Sequence, residues 1–169
     1  MHRPGAAVIG LALLSMMPHS ASGGEATASD IRAMALNMYH EARGEGEIGM
    51  LAVGWVVLNR MADKAYPSTV SEVVYQGCQF SWVCDGRSDR PREPRAWRKA
   101  LKLAATLLGG AGPDPTRGAM WYHADWVRDP GFGPRVSQVM RIGRHIFYAR
   151  ADRPRPPSEG GPRLLIASR

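Results

Sequence analysis

The chain has 169 residues, 44% of them hydrophobic, and a formal net charge of +7. That length allows one domain with a substantial core and excludes two comfortable ones. The charge excludes little, because Glu25 to Ala149 hold 16 basic and 13 acidic residues, and the last 20 residues set five arginines against Asp152 and Glu159.

Residues 1–23 read as a secretory signal peptide: a basic start at Arg3, the apolar run "GAAVIGLALLSMM", and small residues for cleavage in "SASGG". The run is shorter than the roughly 18–20 apolar residues of a membrane span, and an uncleaved anchor is the alternative. The expected location is therefore outside the cytoplasm, in the periplasm or cell envelope. Export makes nucleic acid a weak partner. The basic stretch "RSDRPREPRAWRKALK" suits an anionic polymer surface, such as cell wall or phospholipid headgroups, or else a solvated helix face.

The next segment predicts a first helix capped by Ser29 or Asp30. Ile31, Met34, Ala35, Met38 and Ala42 share one face, and Gly44 ends it. "EIGMLAVGWVVLNRMAD" predicts a second helix, apolar on nearly all sides and so central to the core. Asn59 and Arg60 at its end read as structural residues. Pro67 breaks the chain, and "STVSEVVYQ" opens a short third helix with a capping-box pattern at Ser68 or Thr69 and Glu72. "CQFSWVCDG" is too short and too aromatic for a helix and reads as an extended, turn-like segment. Cys78 and Cys84 within it can form a disulfide in an oxidising compartment, with free buried thiols as the alternative. A zinc site would need a second pair of ligands that the sequence does not offer.

"AWRKALKLAATLL" predicts a fourth helix with Leu101, Ala104, Ala105 and Leu108 as its buried stripe, and "GGAGPDPTRG" a loop. "AMWYHADWV" and "VMRIGRHIFYA" read as extended, the second pairing as an edge strand. Residues 150–169, rich in Pro, Arg and Gly, are expected to be disordered. The fold class is α+β, mainly helical with a small β element, in one domain over residues 25–149.

"YHEARGEGE", residues 39–47, sets three glutamates between two apolar helices. Glu47 fits the first turn of the second helix, where a negative charge meets the positive end of the dipole. Glu41 follows Met38 by three positions and shares the buried side of the first helix. A carboxyl at the rim of an apolar face loses solvation and its pKa rises, which is what a general acid needs. Glu45, one turn along, would push it higher if the helix lasted that far.

"YHEARGEGEIGMLAVGWVVLNR" resembles the N-terminal block of the spore cortex-lytic, SleB-type cell-wall hydrolases. "YPSTVSEVVYQGCQFSWVCDG", "WYHADWVRDPGF" and "RIGRHIFY" are similar to that family's later blocks, in the same order. The resemblance covers residues 30–148 and implies a lysozyme-like fold, related to lytic transglycosylases, that cleaves peptidoglycan glycan strands. It places the catalytic glutamate on Glu41; no cofactor and no metal are expected. His40 departs from the family pattern and stands where it can tune Glu41.

Glu45, Gln79, Phe80, Ser81, Trp82, Tyr122 and His123 are the candidate substrate-binding residues. Polar groups among aromatics have the composition of a sugar groove. Phe80, Trp82, Trp121 and Trp126 can stack on pyranose faces or serve as core. His123 and Asp125 can bind substrate or position Glu41, or His123 can be a satisfied buried histidine. A monomer is expected, with wall targeting left to the domain surface or to an accessory wall-targeting protein.

Two other classes compete. A metal-dependent amidase or peptidase would use His40, Glu41, His123 and Asp125, but adjacent helical residues point about 100° apart, and the H-E-x-x-H spacing is missing. A non-catalytic wall-binding module would have no use for an ionisable Glu41.

Overall fold

The structure is a computed structural model that describes residues 26–110 and 112–152. The expected signal peptide and the tail from 153 onward lie outside the described residues. Four α-helices are followed by a three-stranded antiparallel sheet: α1 (Ala28–Ala42), α2 (Gly46–Met61), α3 (Val70–Tyr75), α4 (Pro94–Leu108), β1 (Trp121–Ala124), β2 (Val136–Ile142) and β3 (His145–Arg150). The strand order is β1-β3-β2. This is the mainly helical α+β arrangement expected from the sequence.

The cap of α1 is Thr27 rather than Ser29 or Asp30. Asp30 sits at the third helical position, its carboxylate accepting from Thr27 and the Thr27 hydroxyl accepting from Asp30 N. That reciprocal pair satisfies two backbone donors that the first turn leaves without helical partners. Ala42 ends the helix. The chain reverses through Gly44 and through Gly46, whose φ of +72° lies where side chains are disfavoured.

Helix α2 runs through the middle, with Met50, Val53 and Val57 in contact with α1, α3 and α4 residues in the main core. On its other side Ala52 and Val56 meet Ala119 and Phe147, which dock the sheet. Thr69 caps α3, its hydroxyl accepting from Glu72 N. In α4 the buried residues are Ala100, Ala104 and Leu107. Leu101 and Leu108 are half-buried and Ala105 is exposed, so the expected stripe is rotated by one position at its ends. Apolar side chains occur on more than one face of this helix, and packing against α1 selects one of the alternatives.

Two further expectations change. The "QFSWV" stretch holds a single 3₁₀ turn, Ser81–Val83, rather than extended chain. Cys78 and Cys84 are joined in a disulfide, with Cα atoms 5.5 Å apart, and that closed ring favours a turn. "VMRIGRHIFYA" is not one edge strand but a hairpin. Ile142 pairs with His145 across Gly143 (φ +57°) and Arg144, which makes β3 the central strand. Residues 150–152, expected to be disordered, are described in the structure. Arg150 ends β3 and its Nε donates to the Asp63 carboxylate at 3.2 Å, while Ala151 N donates to the Arg135 carbonyl.

Candidate active site

A cleft of about 700 Å³ opens between the end of α1, the disulfide loop and β1. Its volume falls in the usual range for ligand sites, roughly 300–1,000 Å³. Glu41 lies in it at the last turn of α1, half-buried, because the 3.6-residue period carries the Met34–Met38 face to that position. Tyr122 on β1 donates its hydroxyl to Glu41 Oε2 at 2.9 Å.

Burial raises the Glu41 carboxyl above its ordinary value, and the Tyr122 bond, His40 and Arg60 oppose that rise only in part. Burial and the neighbouring glutamate push the Tyr122 phenol well above its usual range, so it stays a donor. A carboxyl that holds its proton in a cleft, with one oxygen fixed by a phenol, can deliver that proton to a bound oxygen atom.

Gln79, Phe80, Ser81, Trp82, Tyr122 and His123, the candidate substrate-binding residues, all line this cleft. Their surroundings differ. Phe80 and Trp82 are buried members of the core that show only part of their surface to the groove. Trp82 Nε1 donates to Asn37 Oδ1 at 3.1 Å, and its ring stacks on His40 with centroids 4.9 Å apart. His40 Nε2 in turn donates to the Asp89 carbonyl at 3.1 Å, so one wall of the cleft is held through the residue preceding Glu41. His123 is satisfied on both nitrogens: Nδ1 lies 2.8 Å from the Ala124 carbonyl, and Nε2 lies 2.9 Å from the Tyr148 hydroxyl.

Glu45, the remaining candidate, is placed differently. It is not among the residues lining the cleft; its Oε2 accepts from Arg144 N at 2.9 Å, directly over Gly143, where any side chain would collide with it. Helix α1 stops before Glu45, and no effect of its charge on Glu41 is resolved. Glu47 is in the first turn of α2, 3.5 Å from Lys99, as expected of a charge at a helix start. Asp125 is held by Arg141 and Arg144 rather than by Glu41. Trp121 packs near Phe132 outside the cleft, whereas Trp126 lines it, 65% exposed, with the Arg144 guanidinium over its ring.

Sequence reasoning missed two residues. Arg60, read as structural, lines the cleft while buried, and His145 lines it with Nδ1 lacking a hydrogen-bond partner. Burial holds His145 below its usual value and so favours its neutral form. A basic residue near a helix end gave no signal of this, and a histidine inside an assumed edge strand gave little. Asn59 does tie down the neighbouring loop, donating to Asp114 and to the Ala119 carbonyl. Among the described residues no group of three or more His, Cys, Asp or Glu side chains is placed to hold a metal ion.

The family described as Cell Wall Hydrolase matches residues 44–148. The chain belongs to the cell wall hydrolase family. Glu41 stands just upstream of the matched stretch. The chain is 35% identical over 119 residues to the spore cortex-lytic enzyme of Halalkalibacterium halodurans, covering 70% of this chain and 34% of that protein. It is 31% identical over 134 residues to the cell wall hydrolase CwlJ of Bacillus subtilis, covering 73% of this chain and 87% of that protein.

Among solved structures, the catalytic domain of the Bacillus cereus SleB protein matches with a TM-score of 0.58 at 32% identity, over 74% of this chain and 92% of that one. The catalytic domain of the germination-specific lytic transglycosylase SleB from Bacillus anthracis matches with a TM-score of 0.58 at 33% identity, over 75% and 97%. The lysozyme-like fold implied by the sequence motifs is therefore the fold of this chain. The chain spans only about a third to under half of the length of the spore cortex-lytic enzymes it matches.

Proposed function

We propose that the chain is an exported, peptidoglycan-degrading enzyme that breaks the bond between N-acetylmuramic acid and N-acetylglucosamine, with Glu41 as its acid and base. The supporting observation is the half-buried Glu41 carboxyl in the cleft, whose neutral form burial favours and whose Oε2 is fixed by Tyr122. Oε1 then carries the proton. It passes to the glycosidic oxygen as the bond to C1 of the muramic residue breaks. The muramic 6-hydroxyl closes onto C1 and returns its proton to Glu41, leaving a 1,6-anhydro end.

This lytic transglycosylase route needs one carboxyl. Hydrolysing glycosidases use two, about 5 Å apart for retention or roughly 6.5–9.5 Å for inversion. Glu45, the neighbour that could have been the second, is engaged by the β2–β3 turn. The relative from Bacillus anthracis named a lytic transglycosylase supports the same reading by likeness.

Simple hydrolysis is the second reading, favoured by Asp85 and Asp89, which line the same cleft. Mass spectrometry of fragments released from purified peptidoglycan separates the two, because anhydro ends are lighter by one water than reducing ends. Glu41→Gln should abolish release while the fold persists. Release at near the parental rate would remove Glu41 from the chemistry.

A further inference from the structure

Arg60 lies in the last turn of α2 and is 4% exposed, yet it lines the cleft. Its Nε donates to the Met120 carbonyl at 2.8 Å, and Nη1 is buried with no acceptor. Among the described residues no carboxylate forms an ion pair with it. The guanidinium lies instead over the rings of Tyr66 and Phe80, 5.4 and 5.2 Å from their centroids. Aromatic faces hold a cation without neutralising it, and arginine does not deprotonate in proteins. Helix α2 thus delivers a positive charge to the cleft with no partner anion, an arrangement that ordinarily destabilises a fold.

The cleft does contain a group that becomes negative during the proposed reaction. We propose that Arg60 is a positioning residue that acts through Glu41, its guanidinium stabilising the carboxylate formed when the proton leaves for the sugar oxygen. Tyr122 on β1 bonds Glu41, and His40 on α1 and Arg60 on α2 line the same cleft and favour its charged form. Tyr122 donates one bond whichever state Glu41 is in, and His40 is turned toward Trp82 and Asp89. His145, Asp85 and Asp89 also line the cleft, and none of them is a resolved influence on Glu41. Arg60 is the permanent cation of the set. A preorganised charge that meets developing charge in a half-buried site lowers the barrier without reorganising. The effect of Arg60 opposes that of burial on the glutamate, in the direction this role requires.

The inference rests on Glu41 being the acid and base, so its test includes a reading taken without substrate. Three variants are compared with the parental protein: Arg60→Gln, Arg60→Lys and Arg60→citrulline, the last uncharged but of the same shape and with Nε–H retained. The Glu41 side-chain carboxyl is titrated by carbon-13 NMR, and kcat on purified peptidoglycan is measured against pH.

In the glutamine and citrulline forms the Glu41 midpoint should rise by about one pH unit. The alkaline limb of the rate profile should move with it, and kcat should fall about ten- to a hundredfold. Lysine should hold the midpoint near the parental value and recover most of kcat, although it cannot keep the bond to Met120. If the citrulline form leaves the midpoint unmoved, or if lysine and glutamine lose activity alike, Arg60 is only a structural tie. Should the glutamine variant fail to fold, the citrulline form decides. An active Glu41→Gln would sink the proposed function, while the titration would still decide whether Arg60 acts on Glu41.

Discussion

Glu45 offers a sharp separation of stability from chemistry, because its carboxylate fastens the β2–β3 turn beside the cleft instead of lining it. Glu45→Ala removes a bond from the Arg144 amide to an ionised acceptor, a type contributing about 1.5–3 kcal/mol when well shielded. The group is half-exposed, so solvent screening reduces that to about 1 kcal/mol. Loss of a negative charge at the start of α2 adds roughly 0.3–1 kcal/mol. The total of about 1–2 kcal/mol should lower Tm by roughly 4–8 °C for a domain of this size. Glu45→Gln keeps an acceptor and should show about half the effect.

In both variants kcat on purified peptidoglycan should stay within about threefold of the parental value. Calorimetry and a soluble-fragment assay on the same preparations suffice. A thousandfold loss of kcat, roughly what removal of a catalytic carboxylate costs, combined with an unchanged Tm would refute the reasoning and make Glu45 a partner of Glu41.

Burial favours the neutral form of Glu41 over the charged one. Its contribution to stability is complete below the ordinary carboxyl value and is lost as pH rises through the elevated native one. Glu41→Gln should therefore match the parental urea midpoint at about pH 4 and exceed it at about pH 8; equal midpoints at both would contradict the burial argument. Reducing the Cys78–Cys84 bridge, which closes so short a loop, should cost about 2 kcal/mol. Two alkylatable thiols before reduction, seen by intact mass, would show that the bridge does not form in the isolated protein. Truncation after Asp152 keeps the Arg150–Asp63 ion pair and the Ala151–Arg135 bond, so Tm and activity should not change. A drop in either would show that residues 153–169 contribute.

The helices were legible because their apolar periods are long and their stops are marked by glycine and proline. Glu41 was legible for the same reason, since its spacing from Met38 fixes the side of α1 it shares. Boundaries were less clear: Ser29 and Asp30 were the expected caps and Thr27 is the observed one, because all three residue types can cap and only the observed bonds distinguish them. The hairpin was hidden in "VMRIGRHIFYA", where Gly143 and Arg144 are a weak turn signal between two β-prone runs. Glu45 was misplaced because its position depends on a turn 99 residues away in sequence. Arg60 was undervalued for a similar reason: its burial comes from Tyr66, Phe80 and Met120, three neighbours contributed by separate loops.

The hydrogen bond from Tyr122 to Glu41 joins residues 81 positions apart. Helices α1, α2 and α3 all precede residue 76, while Tyr122 is carried by a sheet that packs through Phe147 on Ala52 and Val56. Contacts of such long range carry a high closure entropy and form late relative to local helices. The surroundings of Glu41 are therefore a property of the completed domain: the first helix supplies the carboxyl, and the phenol that fixes it arrives from the sheet.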